Sequence, residues 1–200
     1  MTRIKICGLR RLCDIAYVNE LMPEYVGFVF AKDSKRYVSP KEAIVLRGQL
    51  KKEIRAVGVF VDESPELITA LLRQGVIQAV QLHGQESEEY IRTLQRETGC
   101  MIIKAFQVEN GEDIQAANAS VADYVLMDSG GGTGKEFDWG LLKEMNRPYF
   151  LAGGLTPENV GGAIAALRSF AVDASSSLET DGYKDKDKLT AFIDAVRKKG

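Results

Sequence analysis

The sequence predicts an α/β fold, a single (β/α)8 TIM barrel spanning residues 1–200. Three observations predict it. Short apolar runs rich in β-branched and aromatic residues alternate with helix-like segments along the whole chain. There are eight such runs, spaced by about the length of one strand–helix unit. The unusual polar residues and glycine pairs fall at the ends of those runs, the rim where parallel barrels carry their chemistry.

The strand candidates are residues 4–7, 25–30, 54–60, 77–82, 101–106, 124–128, 149–152 and 170–174. Between them, Ser39-Pro40, Ser64-Pro65 and Thr156-Pro157 each offer an N-cap followed by proline at the first helical position. Residues 87–98 and 186–198 read as further helices, whereas 109–122 is weakened by Gly111 and its asparagines. An open doubly wound sheet is the alternative architecture. It usually has fewer strands, and no G-x-G-x-x-G follows the first run.

Bulk properties narrow the function classes. The chain is 45% hydrophobic and 27% charged, a globular balance, and its net charge of -2 gives no general field for nucleic acid. Cys7, Cys13 and Cys100 are odd in number and form no C-x-x-C pair, so a reduced, cytoplasmic setting is expected rather than a disulfide framework. The opening MTRIKICGLRRL has no apolar run of signal-peptide length, and no stretch approaches the roughly 18 apolar residues of a membrane helix. A small phosphorylated ligand is the expected partner, with no nucleic acid or membrane, and the chain is expected to be a monomer or homodimer.

Cys7 ends the first strand, just before Gly8. It could be a buried small hydrophobe. At a strand end beside a glycine that lets backbone pass close to a ligand, it could also supply thiolate. Cys13 and Cys100 read as structural. Asp128 ends the sixth strand and could cap a turn; a partly buried carboxyl could equally donate a proton near neutral pH. The run SGGGTGKE after it looks like a nucleotide-binding loop but fails at both ends. Ser129 stands where the first glycine belongs, and Glu136 where the magnesium-binding Ser/Thr belongs. A lid over the barrel mouth fits it better.

Gly153-Gly154 and Ser175-Ser176 follow strands seven and eight, the two loops from which barrels hold phosphate through backbone N–H groups. His83, the only histidine, is an ordinary hydrogen-bonded residue or a substrate contact. With no second histidine and no paired cysteines, no metal is expected. Arg36 is a solvated loop residue or a fork for a carboxylate or phosphate.

Taken in order, KICGLR, SKRYVSP, QLHG, DSGGGTGKEFDW, LAGGL and VDASSSLE closely resemble the phosphoribosylanthranilate isomerase family from end to end. The resemblance implies a step of tryptophan biosynthesis, the Amadori rearrangement of N-(5-phosphoribosyl)anthranilate to 1-(2-carboxyphenylamino)-1-deoxyribulose 5-phosphate. It implies Cys7 as general base, Asp128 as general acid, Arg36 and His83 as substrate contacts, and no cofactor. One motif departs: Ser177 stands where the family more often has glycine, a strain if that position needs positive φ.

Two other readings compete. A non-catalytic phospho-ligand barrel would not need an acid and a base on one rim. The related histidine-pathway isomerases use aspartates for both roles, whereas the first strand here ends in Cys7. Strand parity adds one expectation. If Cys7 points inward, so does Lys5 below it, with an acidic or carbonyl partner, Asp128 among the candidates.

Overall fold

The computed structural model describes residues 1–128 and 139–198. Eight parallel strands close into a barrel in sequence order. They are β1 (Arg3–Cys7), β2 (Tyr25–Val29), β3 (Arg55–Phe60), β4 (Ala79–Leu82), β5 (Met101–Gln107), β6 (Tyr124–Asp128), β7 (Tyr149–Ala152) and β8 (Ala171–Ala174). Closure is made by β8 against β1, where Lys5 lies opposite Asp173. All eight predicted runs are strands, with ends moved by a residue or two.

The outer layer holds α1 (Leu12–Leu21), α2 (Pro40–Gln49), α3 (Pro65–Arg73), α4 (Glu88–Thr98), α5 (Gly111–Ala119), α6 (Val160–Leu167) and α7 (Lys186–Arg197). Ser39 caps α2 reciprocally with Glu42, and the Ser87 hydroxyl accepts from the Tyr90 N–H at the start of α4. Asn110 and Asp113 cap α5 reciprocally, which offsets its weak composition. Thr156 does not cap a helix as its sequence context suggests. The Asn159 side chain reaches back to the Thr156 N–H and the Gly154 carbonyl, so the chain spends one more turn in the loop before α6. Between β6 and β7 the described residues hold only a 3-10 turn, Leu141–Glu144, bracketed by Gly140 and Pro148.

Side-chain alternation decides which residues meet inside. Lys5 and Cys7 of β1 point inward, as do Val57 and Val59 of β3, Leu126 and Asp128 of β6, and Asp173 of β8. The lower interior is closed by aromatic rings. Phe150 meets Tyr25 and Tyr124 edge-on at 5.6 and 5.8 Å, and Tyr124 packs on Phe170 at 4.4 Å. Arg3 covers the outer ring, Phe170, at 4.2 Å. That plug makes the bottom of the barrel a packed core. Truncating Phe150 to alanine would cost about 3–5 kcal/mol.

Above β8, a 3-10 turn (Ser176–Leu178) leads into a hairpin of β9 (Glu179–Thr180) and β10 (Tyr183–Lys184). Its two-residue turn is Asp181-Gly182, both at positive φ, the geometry that Asp-Gly turns favour. Ser177 is not at positive φ. The strain that its departure from glycine raised does not arise, and its hydroxyl instead donates to the Leu155 carbonyl at 2.5 Å, tying the loop after β8 to the loop after β7.

Candidate active site

A cavity of about 360 Å³ opens at the C-terminal end of the barrel. Cys7, Arg36, His83, Asp128, Gly153, Gly154, Ser175 and Ser176 all line it, so every candidate on the sequence converges there. The lid expected at SGGGTGKE, residues 129–136, lies outside the described residues. Ser177, the position where the eighth-strand motif departs, lines it as well, and so do Gln81 and Asp173, which are not among the candidates.

Cys7 is buried among Val29, Val59 and Ala31. Gly27 faces it across β2, and a Cβ there would come within 2.6 Å of Sγ, so glycine is what lets the thiol sit inward. Gly8, at φ +83, lets the chain turn away directly under the Arg36 side chain, where a Cβ would collide. Burial pushes the Cys7 thiol above its ordinary pKa; the Lys5 ammonium pulls it down, with Asp173 opposing and Lys184 assisting.

Asp128 and His83 face each other from β6 and the end of β4, with Nε2 to Oδ2 at 3.9 Å. Their side chains are 31% and 40% exposed, open enough to meet a ligand. The Gln81 amide nitrogen lies 3.0 Å from His83 Nδ1. Donation by that amide makes Nδ1 the acceptor and leaves the imidazole proton on Nε2, facing Asp128. Burial lowers the His83 pKa and Asp128 works against that, so the ring is neutral near pH 7.

Lys5 is fully buried inside the barrel, as strand parity required. Its partner is Asp173, at 2.7 Å, not Asp128. The register explains the difference: β1 neighbours β8, with Lys5 directly opposite Asp173, whereas β6 lies further round the barrel. Burial opposes the Lys5 ammonium, but Asp173 and Cys7 together hold its pKa above the ordinary lysine value. Burial likewise raises Asp173, with Lys5 opposing. Asp173 Oδ1 is buried and has no hydrogen-bond partner among the described residues.

Arg36 is already committed on one edge. Its Nε and Nη2 donate to the two carboxylate oxygens of Glu179, both at 2.7 Å. Lys184 donates to Glu179 Oε1 at 2.6 Å and to the Ser175 carbonyl at 3.0 Å. The Ser175 hydroxyl donates to the Cys7 carbonyl at 3.0 Å. One network therefore joins the loop after β8, the loop after β2 and the end of β1. Lys184 and Glu179 escaped sequence reasoning, but a signal existed: Asp181-Gly182 is a strong hairpin cue, and the hairpin folds Lys184 back over Ser175.

Known proteins agree with this architecture. The chain matches the model of the N-(5'-phosphoribosyl)anthranilate (PRA) isomerase family over residues 4–195. It is 44% identical over 204 residues to the N-(5'-phosphoribosyl)anthranilate isomerase of Thermoanaerobacter sp. (strain X514), covering 98% of both chains. The crystal structure of phosphoribosyl anthranilate isomerase from Thermotoga maritima superposes with a TM-score of 0.91 at 40% identity, over 99% of this chain and 100% of that one. A phosphoribosyl anthranilate isomerase in complex with reduced 1-(o-carboxyphenylamino)-1-deoxyribulose 5-phosphate superposes with a TM-score of 0.88 at 38% identity, over 99% and 100%.

Proposed function

Because the chain belongs to the N-(5'-phosphoribosyl)anthranilate isomerase family, we propose that its rim residues carry out the family's reaction by general acid–base catalysis, with Cys7 as base and Asp128 as acid. The activity is the isomerisation of N-(5'-phosphoribosyl)anthranilate to 1-(2-carboxyphenylamino)-1-deoxyribulose 5-phosphate, a step of tryptophan biosynthesis. The single observation that supports the catalytic assignment is that a buried thiol and a half-buried carboxyl line one cavity from separate strands, β1 and β6.

The chemistry needs two proton transfers by the protein's own groups, followed by a tautomerisation. Asp128 gives a proton to the ribose ring oxygen as the bond from that oxygen to C1 breaks and the nitrogen lone pair forms an iminium. Cys7, as thiolate, removes the hydrogen on C2, and the electron pair of that C–H bond becomes the C1–C2 double bond of an enolamine, neutralising the nitrogen. Return of a proton to C1 and loss of the C2 hydroxyl proton give the ketone, with no net gain or loss of atoms. His83, neutral and with its single N–H on Nε2 beside Asp128, offers that donor to the sugar.

Phosphate is held by backbone N–H groups of the Gly153-Gly154 and Ser175-Ser176 loops. The Ser175 hydroxyl is engaged by Cys7, which supports a backbone rather than side-chain role there. Arg36, held rigid by Glu179, keeps N–H groups beyond the two already used for the anthranilate carboxylate. Phosphate binding energy then orients the reacting carbons.

A structure with the reduced product analogue tests the arrangement. Its phosphate is expected between Gly154 and Ser176, with the C1–C2 unit between Cys7 and Asp128. Phosphate density at residues 130–135 instead would overturn the anchor assignment, and inorganic phosphate failing to inhibit competitively would do the same.

A further inference from the structure

A general base made from a buried thiol has an electrostatic difficulty. Removing Cys7 from water among Val29, Val59 and Ala31 favours the protonated form, which cannot accept a proton. Something in the barrel must favour the thiolate. The charged groups facing Cys7 are Lys5 on its own strand, Asp173 on β8, Lys184 on β10 and Arg36 from the loop after β2. Lys184 and Arg36 share the carboxylate of Glu179. Lys5 differs from both. It sits two residues below Cys7 on the same inward face, and it has no exposure to solvent.

A fully buried ammonium is costly to desolvate, and its ion pair recovers that cost only in part. Methionine would fill the same space without that cost. The pair is also incompletely satisfied, since one oxygen of Asp173 has no partner among the described residues. A group kept for packing would not be built this way.

We propose that Lys5 is a positioning residue for Cys7: its ammonium, fixed by Asp173 at the same level of β8, is the counter-charge beneath the thiol against which the thiolate is held. The proton lost by Cys7 leaves to solvent through the cavity mouth, and the thiolate is then available for the hydrogen on C2. The kinetic consequence rests on the assignment of Cys7 as base given above, whereas the effect on the thiol itself does not.

The test is the pH dependence of Cys7 alkylation by iodoacetamide in the substrate-free protein. Peptide mass spectrometry separates Cys7 from Cys13 and Cys100. Lys5→Met is expected to move the midpoint for Cys7 up by at least one unit, so alkylation at pH 7 slows about tenfold. Asp173→Asn removes the opposing charge and is expected to move the midpoint down. The double variant Lys5→Met/Asp173→Asn leaves no buried ion unpaired and is expected to move it up by less than Lys5→Met alone. Any of the three that folds gives a signed result. An unchanged midpoint in Lys5→Met or in the double variant, or a shift of the same sign in Lys5→Met and Asp173→Asn, overturns the proposal. The basic limb of the kcat/KM profile should move with the alkylation midpoint. If Cys7→Ala keeps its kcat, the base assignment fails while the alkylation result stands by itself.

Discussion

Lys5 and Lys104 are both buried against a carboxylate, at 2.7 Å from Asp173 and 2.8 Å from Glu86. Around Lys104 every oxygen is used. Glu86 accepts from the backbone N–H groups of Asp62 and Gly84 as well as from Lys104, and Lys104 also donates to the Gly84 carbonyl at 2.6 Å. That network clamps the loop directly after His83. Around Lys5 there is one hydrogen bond to one oxygen, the other oxygen has no partner among the described residues, and Asp173 lines the cavity at the barrel mouth. The contrast separates a charge kept for architecture from a charge kept for chemistry. Full satisfaction stabilises a fold, whereas an unfinished polar group beside a cavity gives up stability for a site.

The largest effect that could break this comparison is on stability. Lys104→Met leaves Glu86 buried without its cation, and denaturant unfolding should show a loss of about 3–5 kcal/mol. Even the paired replacement Lys104→Met/Glu86→Leu should destabilise, because the Asp62 and Gly84 N–H groups lose their acceptor. The equivalent replacement in the barrel, Lys5→Met/Asp173→Leu, should be neutral or stabilising by up to about 1–4 kcal/mol while kcat/KM falls. Equal stability losses in the two double variants would remove the distinction.

A third pair sharpens it through pH. Burial opposes ionisation of Glu179, but Arg36 and Lys184 hold its pKa below the usual glutamate value. Its folded pKa is therefore lower than its unfolded pKa of about 4.3, so its contribution is complete above that value and lost as pH falls through the folded pKa. Unfolding measured from pH 6 to pH 3 should show a steeper loss in the wild type than in Glu179→Gln. Parallel curves would mean that the network joining Arg36 to Ser175 carries no net stability.

The smallest expected effect is a titration. His83 is the only histidine, so its ring protons report one group by NMR. Burial should place its midpoint below the ordinary value near about 6.5, and Asp128→Asn should lower it further by removing the carboxylate that opposes that shift. An unchanged midpoint in Asp128→Asn would show that the 3.9 Å approach has no electrostatic consequence.

Much of this was legible in the sequence because a barrel is a repeated local pattern. Each strand announces itself by β-branched and aromatic content, and closure then puts every strand end on one rim. Cys7, Asp128 and the two glycine–serine loops could be placed together without knowing any distance. The inward turn of Lys5 followed from parity alone. Its partner did not, since which strand faces it depends on register across the closure of β8 onto β1. Glu179 and Lys184 were missed because their hairpin is too short to show alternation, even though its Asp-Gly turn was visible. The 3-10 turn at Leu141–Glu144 has no sequence signal of its own, because its four residues, between Gly140 and Pro148, are too few to show helical periodicity.

The central claim is that Cys7 and Asp128 move the protons, and single-site kinetics test it most directly. Freshly made N-(5'-phosphoribosyl)anthranilate can be followed by the loss of anthranilate-type fluorescence as it turns over. Cys7→Ala should lower kcat by about 10²–10⁴, with KM nearly unchanged because the thiol is not the phosphate anchor. Asp128→Asn should lower kcat by a similar factor. A folded Cys7→Ala protein that turns over at close to the wild-type kcat would contradict the account.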